Sequence, residues 1–290
     1  MSENSNNKVI AVVGATASGK TAYSIELAKN INGEIISADS RLVYKDFNIG
    51  TAKPTMEECQ GVPHYMIDIV SPATDYSVGL YVKEAKKCIS DILKRGKIPI
   101  IVGGTGLYIN ALLMNYDFPK CEPDYEYRKE LQNNENVYEL LLKADEKTAL
   151  TIDKNDRKKI IRALEIIKIT GKKLGEVRGI SEKEFNVEWI GCNFERDILY
   201  KRINDRVDLM MNKGLLDETK FLLDKYGRIP NILYTIGYQE MTAYLDGLFT
   251  LDEAIDTLKQ NTRHYAKRQL TWFRKNSDIR WNLYPEQLKK

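Results

Sequence analysis

Apolar positions along the chain fall into two alternating rhythms. The first is a short, mostly β-branched run, Val9–Val13, which predicts a buried strand. It breaks at Gly14, and behind the break Ala22, Ile25, Leu27 and Ala28 recur as on one face of a helix. Gly33 punctuates, and Ile35, Ile36 and Ala38 predict a second strand ending in Asp39-Ser40-Arg41. A Gly- and Pro-punctuated stretch follows, with a short strand expected near Met66–Val70. Between Tyr76 and Lys94, Val78, Tyr81, Val82, Ala85, Ile89, Ile92 and Leu93 mark a helix that Gly96 ends. IPIIV then reads as a strand running into Gly103-Gly104-Thr105-Gly106. Strand and helix in steady succession predict a parallel, doubly wound α/β sheet.

The rhythm changes near Asn115–Pro123. Residues 122–153 carry nine acidic and four basic side chains, and residues 154–183 carry ten basic and four acidic. That reversal, without a convincing buried strand, predicts a helical insertion at 119–187 within a core formed by 1–118 and 188–290. Its best helix is Asp156–Thr170, with Ile160, Ile161, Leu164 and Ile167 as the apolar stripe. Arg157, Lys158, Lys159 and Arg162 crowd its start, against the helix dipole, so a compensating anion outside the helix is expected. EWIGCNF then returns to the sheet. Leu199, Ile203, Val207 and Met210 mark a helix with Arg202 and Arg206 alongside, and LLDETKFLLDKYG marks another. IPNILYTIGYQEM reads as a punctuated turn, and Leu251–Arg274 closes the fold as a helix. On that helix Arg263, Lys267 and Arg274 fall on one face and Tyr265 and Trp272 on the opposite one. The aromatics are expected to anchor it and the basic stripe to face phosphates.

Composition narrows this only slightly. The 290 residues are 43% hydrophobic and 29% charged, enough for a full core, and the net charge of +3 makes any basic surface a local one. The start, MSENSNN, has no apolar stretch, and no run approaches the roughly 18 residues of a membrane span, so neither a secretory signal nor a membrane anchor is expected. Cys59, Cys88, Cys121 and Cys192 form no C-x-x-C pair and only His64 and His264 accompany them. That argues for reduced thiols in a cytoplasmic protein and against a zinc site. His64 is read as structural. With so little histidine, a proton-transfer step falls to a carboxylate.

The chemistry concentrates after the first strand. GATASGKT completes G-x-x-x-x-G-K-T between a strand and a helix, the context of a phosphate-binding loop. Gly14, Ala15, Thr16, Ala17, Ser18 and Gly19 would turn backbone N–H groups inward around an anion at a helix N-terminus. Lys20 would reach the outer phosphate and the Thr21 hydroxyl would face Mg²⁺. Asp39, at the carboxyl end of the next strand, can be a magnesium ligand, a base or a helix cap, and Thr105 offers a hydroxyl at the same edge. Two classes fit. One is a small-molecule kinase or nucleoside triphosphatase. The other is a transferase that holds a diphosphate leaving group while the carbon bonded to it is attacked. A nucleotide-gated switch is weaker, because no guanine motif is visible.

Six motifs in order, GATASGKT, ISADSRLVYKDFNIGTAKP, P-H-x-x-I-D at Pro63–Asp68, IVGGTGLYINALL, NDRKKIIRALEI and RHYAKRQLTWFR, closely resemble the tRNA dimethylallyltransferase (isopentenyl-tRNA transferase) family, from about Val9 to Trp281. The resemblance implies a P-loop NTPase-like core with an inserted helical RNA-binding domain. It implies transfer of a dimethylallyl group from dimethylallyl diphosphate to the exocyclic amine of the adenosine 3′ of the anticodon, in tRNAs reading codons that begin with U. Asp39 matches the family's proton acceptor, Thr105 the threonine lining the channel, and Arg206, in R-x-D-x-M, the arginine of the diphosphate. The anticodon stem-loop would be held by Asp39, Ser40, Arg41, Leu42 and Thr105, and by Arg128, Lys158, Lys159, Ile160, Ile161 and Arg162. Thr235, Ile236, Gly237, Tyr238 and Gln239, with Arg263 and Lys267, complete the set. Mg²⁺ is the implied cofactor, and a cytoplasmic monomer of bacterial type, without the zinc finger of eukaryotic relatives, is implied. Tyr65 stands where many relatives have a second histidine, and Lys159 where an arginine is usual. A closer rival, prenylation of free adenine nucleotides, is disfavoured by the insertion.

Overall fold

The structure, a computed structural model, describes residues 7–117, 119, 122–177, 179–180 and 182–283. Most of MSENSNN (all but Asn7), Cys121 and the last seven residues lie outside them. The chain divides into two compact units, one running to Leu113 and resuming at Glu184, the other Met114–Lys183.

In the larger unit β1 (Lys8–Gly14) is followed by α1 (Lys20–Ile31), β2 (Gly33–Ser37), a short α2 (Met56–Cys59), β3 (His64–Tyr65), α3 (Val78–Lys94), β4 (Ile98–Gly103) and α4 (Gly106–Leu113). In the smaller unit β5 (Tyr116–Asp117) and β6 (Gly179–Ile180) pair antiparallel, and between them come α5 (Tyr125–Gln132), α6 (Val137–Ala144), α7 (Glu146–Ala149), α8 (Arg157–Thr170) and α9 (Leu174–Val177). The larger unit resumes with β7 (Asn186–Asn193), α10 (Arg196–Asn212), α11 (Leu215–Tyr226), α12 (Pro230–Leu233), α13 (Tyr238–Leu245), α14 (Leu251–Phe273) and β8 (Arg280–Leu283).

The main sheet has the order β3-β2-β4-β1-β7-β8 and all its pairs are parallel. Both faces of the central strand are covered, so Val9–Val13 is apolar without alternation and almost wholly buried. Strands β1, β2 and β4 end at the same edge. There Gly103 comes so close to β2 that a Cβ on it would sit 2.1 Å from the Ala38 carbonyl oxygen.

Three readings of the sequence are corrected. The strand expected at Met66–Val70 is instead His64–Tyr65, because Met66 and Asp68 take left-handed φ values of 63° and 56° that break the ladder; only a Tyr44–Val70 bridge remains. The stretch expected to be a turn at 229–241 holds α12, with Pro230 at its first position, and the start of α13 behind Gly237 at φ 103°. Strand β8 was not expected at all. Its Trp281 packs over Gly191, the pairing partner that makes room for it.

In the smaller unit, Ile160, Ile161, Ala163, Leu164 and Ile166 of α8 form the core with Leu131, Val137, Leu141 and Leu174. The cations at the start of α8 find protein partners. Asp156 caps the helix by accepting from Lys159 N at 3.2 Å and binds the Lys159 ammonium, while Arg157 donates to the carbonyls of Leu131, Gln132 and Asn134 that end α5. No outside anion is needed to explain that end of the helix.

At the amino end of β2, Glu34 is buried and accepts from Arg95 at 2.5 Å and 2.6 Å, Lys97 at 2.7 Å and Tyr65 at 2.8 Å. The Arg95 bond leads in holding its pKa down from 4.5 to about 2. The native state therefore gains from the ionised form above pH 4.5 and loses that gain as pH falls toward 2. Glu34→Gln is expected to lower stability at pH 7 by about 2 kcal/mol and to flatten its decline between pH 4.5 and 2, as read from urea melts.

Candidate active site

Between β1 and α1 the chain makes a tight loop that only particular backbone geometries allow. Gly14 sits at φ 151°, and a Cβ there would lie 2.2 Å from the Cys192 carbonyl oxygen. Ala17 and Gly19 are left-handed at 61° and 81°, and Gly19 leads directly into α1. Successive N–H groups thus converge at a helix N-terminus, as an anion requires. Lys20 folds back so that its ammonium donates to the Ala15 carbonyl at 2.5 Å. Burial is the main cause pushing Lys20 down to about 8; Cys192 and Asp39 pull the other way and Arg206 adds to the depression.

Two later helices hold the loop. From α10, Arg206 reaches the Thr16 hydroxyl at 3.3 Å and Arg202 donates to the Ala17 carbonyl at 3.0 Å. From α14, the Gln269 Oε1 accepts from Thr16 N at 2.8 Å while its Nε2 donates to the Gly104 carbonyl at 3.0 Å. This one buried amide therefore ties the anion loop to the Gly103-Gly104-Thr105 turn. Burial also lowers the pKa of Arg206, with Asp39 opposing.

The loop opens into a cavity of about 480 Å³ lined by Thr16, Lys20, Thr21, Asp39, Arg206 and Gln269, among others. At its β2 side Asp39 Oδ1 accepts from Arg41 N at 2.8 Å, and its second oxygen has no partner among the described residues. Thr105 accepts from Ser40 N at 3.0 Å, which fixes the two strand ends against each other. Tyr265 lines the same wall; burial first and the nearby Asp39 second push its pKa up to about 12.

Ser40, Arg41, Leu42, Thr235, Ile236 and Gln239 line this cavity as well. Two carboxylates brace segments of its lining: Glu218 accepts from Ile49 N at 2.8 Å, Gly50 N at 3.0 Å and the Tyr238 hydroxyl at 2.7 Å. Glu240 accepts from Gly237 N and from Asn261, each at 2.7 Å. Tyr238 is fully buried, and Ile160 and Ile161 lie in the core of the smaller unit, so their side chains are not available to RNA. Arg128 and Arg162 both bind the buried Glu165, the former at 2.8 Å and 2.9 Å, leaving about a third of each side chain exposed. Burial acts against ionisation of Glu165, yet bonds to these arginines and to Asp124 N hold its pKa below the usual value.

On α14 the two opposite faces have different surroundings. Arg263 donates to Asn204 at 2.7 Å, and Lys267 lies on an exposed stretch with His264 and Trp272. The cavity is met by Tyr265, Arg268 and Gln269, and Trp272, expected to anchor the helix, is 39% exposed with its ring edge over Gly106. Arg268 and Gln269 stand within the RHYAKRQLTWFR motif and Asn261 just before it, but the sequence assigns none of them a site role, because a polar helix residue does not show which neighbour it meets. His64, read as structural, lines the cavity too: its Nδ1 faces the Val62 carbonyl at 2.8 Å and its Nε2 is buried without a partner.

A family model described as IPP transferase matches residues 42–276, and one described as isopentenyl transferase matches residues 7–73. A protein of Halalkalibacterium halodurans named tRNA dimethylallyltransferase is 48% identical over 283 residues, covering 94% of this chain and 90% of its own. The chain belongs to the tRNA dimethylallyltransferase family. A crystal structure of the full-length tRNA isopentenylpyrophosphate transferase from Bacillus halodurans aligns with TM-score 0.73 at 46% identity, covering 95% of this chain and 89% of that one. A eukaryotic dimethylallyltransferase acting on tRNA aligns with TM-score 0.86 at 32% identity, covering 98% of this chain and 75% of that one. The α/β core is thus the P-loop-like core of the tRNA dimethylallyltransferases, and the kinase alternative gives way to a prenyltransferase. None of the described helices is long and apolar enough to cross a membrane.

Two measurements test the geometry. With Lys20 at about 8 in the free protein, an anion must draw a proton to it above that pH. The dissociation constant for inorganic pyrophosphate is therefore expected to climb by up to about tenfold per pH unit above 8, relative to Lys20→Arg, in which the charge persists. Gln269→Leu strands a buried N–H and a buried C=O; it is expected to cost about 1–3 kcal/mol in urea melts and to weaken pyrophosphate binding.

Proposed function

We propose that the enzyme transfers a dimethylallyl group from dimethylallyl diphosphate to the exocyclic amine of the adenosine 3′ of the anticodon, in tRNAs reading codons that begin with U. The observation that carries this is that the anion loop and the open oxygen of Asp39 share one cavity. A leaving group can be held at one end while an amine loses its proton at the other.

The adenine amine is a weak nucleophile, because its lone pair is delocalised into the ring. The backbone N–H groups of Ala15–Thr21, Lys20 and Arg206 bind the diphosphate and stabilise the negative charge that grows on it. As the nitrogen forms its bond to the allylic carbon, the carbon–oxygen bond breaks and its electron pair leaves with pyrophosphate. Asp39, held at one oxygen by Arg41 N, takes the amine proton on the other. Thr105 keeps Ser40 in place beside it.

The donors present suit Mg²⁺. Thr21, Ser37 and Asp39 all offer oxygen to the cavity, and the Ser37 hydroxyl is buried with no partner. Among the described residues no group of three His, Cys, Asp or Glu is placed to hold a metal, and phosphate oxygens would supply most of the ion's ligands. Thr21 and its neighbours would hold Mg²⁺, which would neutralise diphosphate charge.

The acceptor base lies inside a loop and has to be turned out of its stack to enter the cavity. Ser40, Arg41, Thr235 and Gln239 of the cavity lining, and Lys267 outside it, would meet RNA. In the smaller unit Arg128, Lys158, Lys159 and Arg162 supply phosphate contacts that steer and position without reading sequence. We assign the enzyme to the cytoplasm, as a monomer. Incubation of radiolabelled dimethylallyl diphosphate with an anticodon stem-loop is expected to label the RNA. Asp39→Ala is expected to lower turnover by at least about a hundredfold while stem-loop affinity changes little. Unlabelled RNA, or turnover untouched by the substitution, would refute the reading.

A further inference from the structure

The lining of the cavity changes character with distance from the anion loop. On α10 the cavity residues are Ile203, Arg206, Val207 and Met210, so the arginine that touches the loop is followed on the same ridge by two apolar side chains. On α14, moving away from the Gln269 that holds the loop, the lining runs through Arg268, Tyr265, Thr262 and Asn261 to Leu258. The two helices are antiparallel: Arg263 binds Asn204 at 2.7 Å and Lys259 binds Asp208 at 2.6 Å, four residues back on one matching four forward on the other. Continuing that register brings Met210 within one residue of the level of Leu258.

Behind them lies packed core. Val207 and Leu258 are buried in the cluster that contains Phe47, Tyr238 and Met241, and Met210 packs on its edge. From Arg206 to Met210 the helix advances about 6 Å. A dimethylallyl group extends roughly 4–5 Å from the carbon that bears oxygen, at about 1.5 Å per carbon–carbon bond. A ten-carbon group would need about twice that depth.

We propose that Met210, opposed by Leu258, sets the length of the allylic donor: the two side chains close the apolar end of the cavity one isoprene unit beyond the diphosphate anchor. This rests on the reading of the cavity as the site of prenyl transfer and assigns its depth to particular residues. Methionine suits the role because it is flexible and fills irregular gaps, so its removal opens space without demanding a new backbone path.

The test compares dimethylallyl and geranyl diphosphate as donors to an anticodon stem-loop, with the products weighed by mass spectrometry. Wild-type enzyme is expected to prefer the five-carbon donor by about 100-fold or more in kcat/KM. Met210→Ala is expected to shrink that preference at least tenfold, and the milder Met210→Val to shrink it less. If both variants melt cooperatively and keep the wild-type preference, or if wild type accepts geranyl equally well, Met210 does not set the length. Failure of wild type to transfer even the five-carbon group would instead refute the prenyl-transfer reading itself.

Discussion

The larger unit depends on one constraint: a set of backbone N–H groups and buried cations must stay gathered at the carboxyl end of β1 when nothing neutralises them. Charge concentrated in this way tends to disperse. Here it is restrained by geometry, with Gly14 wedged under the Cys192 carbonyl, Lys20 folded onto the Ala15 carbonyl, and Arg202, Arg206 and Gln269 reaching in from two helices far away in sequence. The depressed pKa values of Lys20 and Arg206 record the cost of that arrangement. An anionic leaving group relieves it, so the fold is prepared for charge that develops at that place.

Around that point the sheet acts as a frame. Because β1, β2 and β4 end together, Asp39 and Thr105 arrive beside the anion loop without any long-range signal in the sequence beyond the alternation of strand and helix. The loops that line the cavity need other restraints, since they belong to no strand. Glu218 and Glu240 supply them by gathering backbone and side-chain donors from segments far apart in sequence. In the smaller unit Glu165 does the same for Arg128 and Arg162. Carboxylates that gather several donors thus recur where this protein fixes a surface that regular structure does not.

What could be read from the sequence follows the same division. Val9–Val13, Ile35–Ala38 and IPIIV were legible because strands buried on both faces carry long apolar runs, and the phosphate loop was legible because its glycines are demanded by backbone geometry. The reach of Gln269, the orphaned nitrogen of His64 and the place of Arg268 in the cavity lining were not. Those depend on which face of a helix meets which neighbour, and two helical faces can look alike in a sequence when both carry polar residues. Tyr238, Ile160 and Ile161 show the converse: they stand within motifs, yet their side chains serve packing. β8 escaped notice because four residues at a sheet edge carry almost no periodic signal.

The central claim is that the anion loop holds a leaving group whose bond to carbon is the one that breaks. Dimethylallyl diphosphate carrying ¹⁸O in the bridging position tests it most directly, in a complete reaction with an anticodon stem-loop. Cleavage at carbon predicts that all of the isotope departs with pyrophosphate while the RNA gains the hydrocarbon. Isotope recovered in dimethylallyl alcohol or its monophosphate would mean that phosphorus is attacked instead, and would contradict the account.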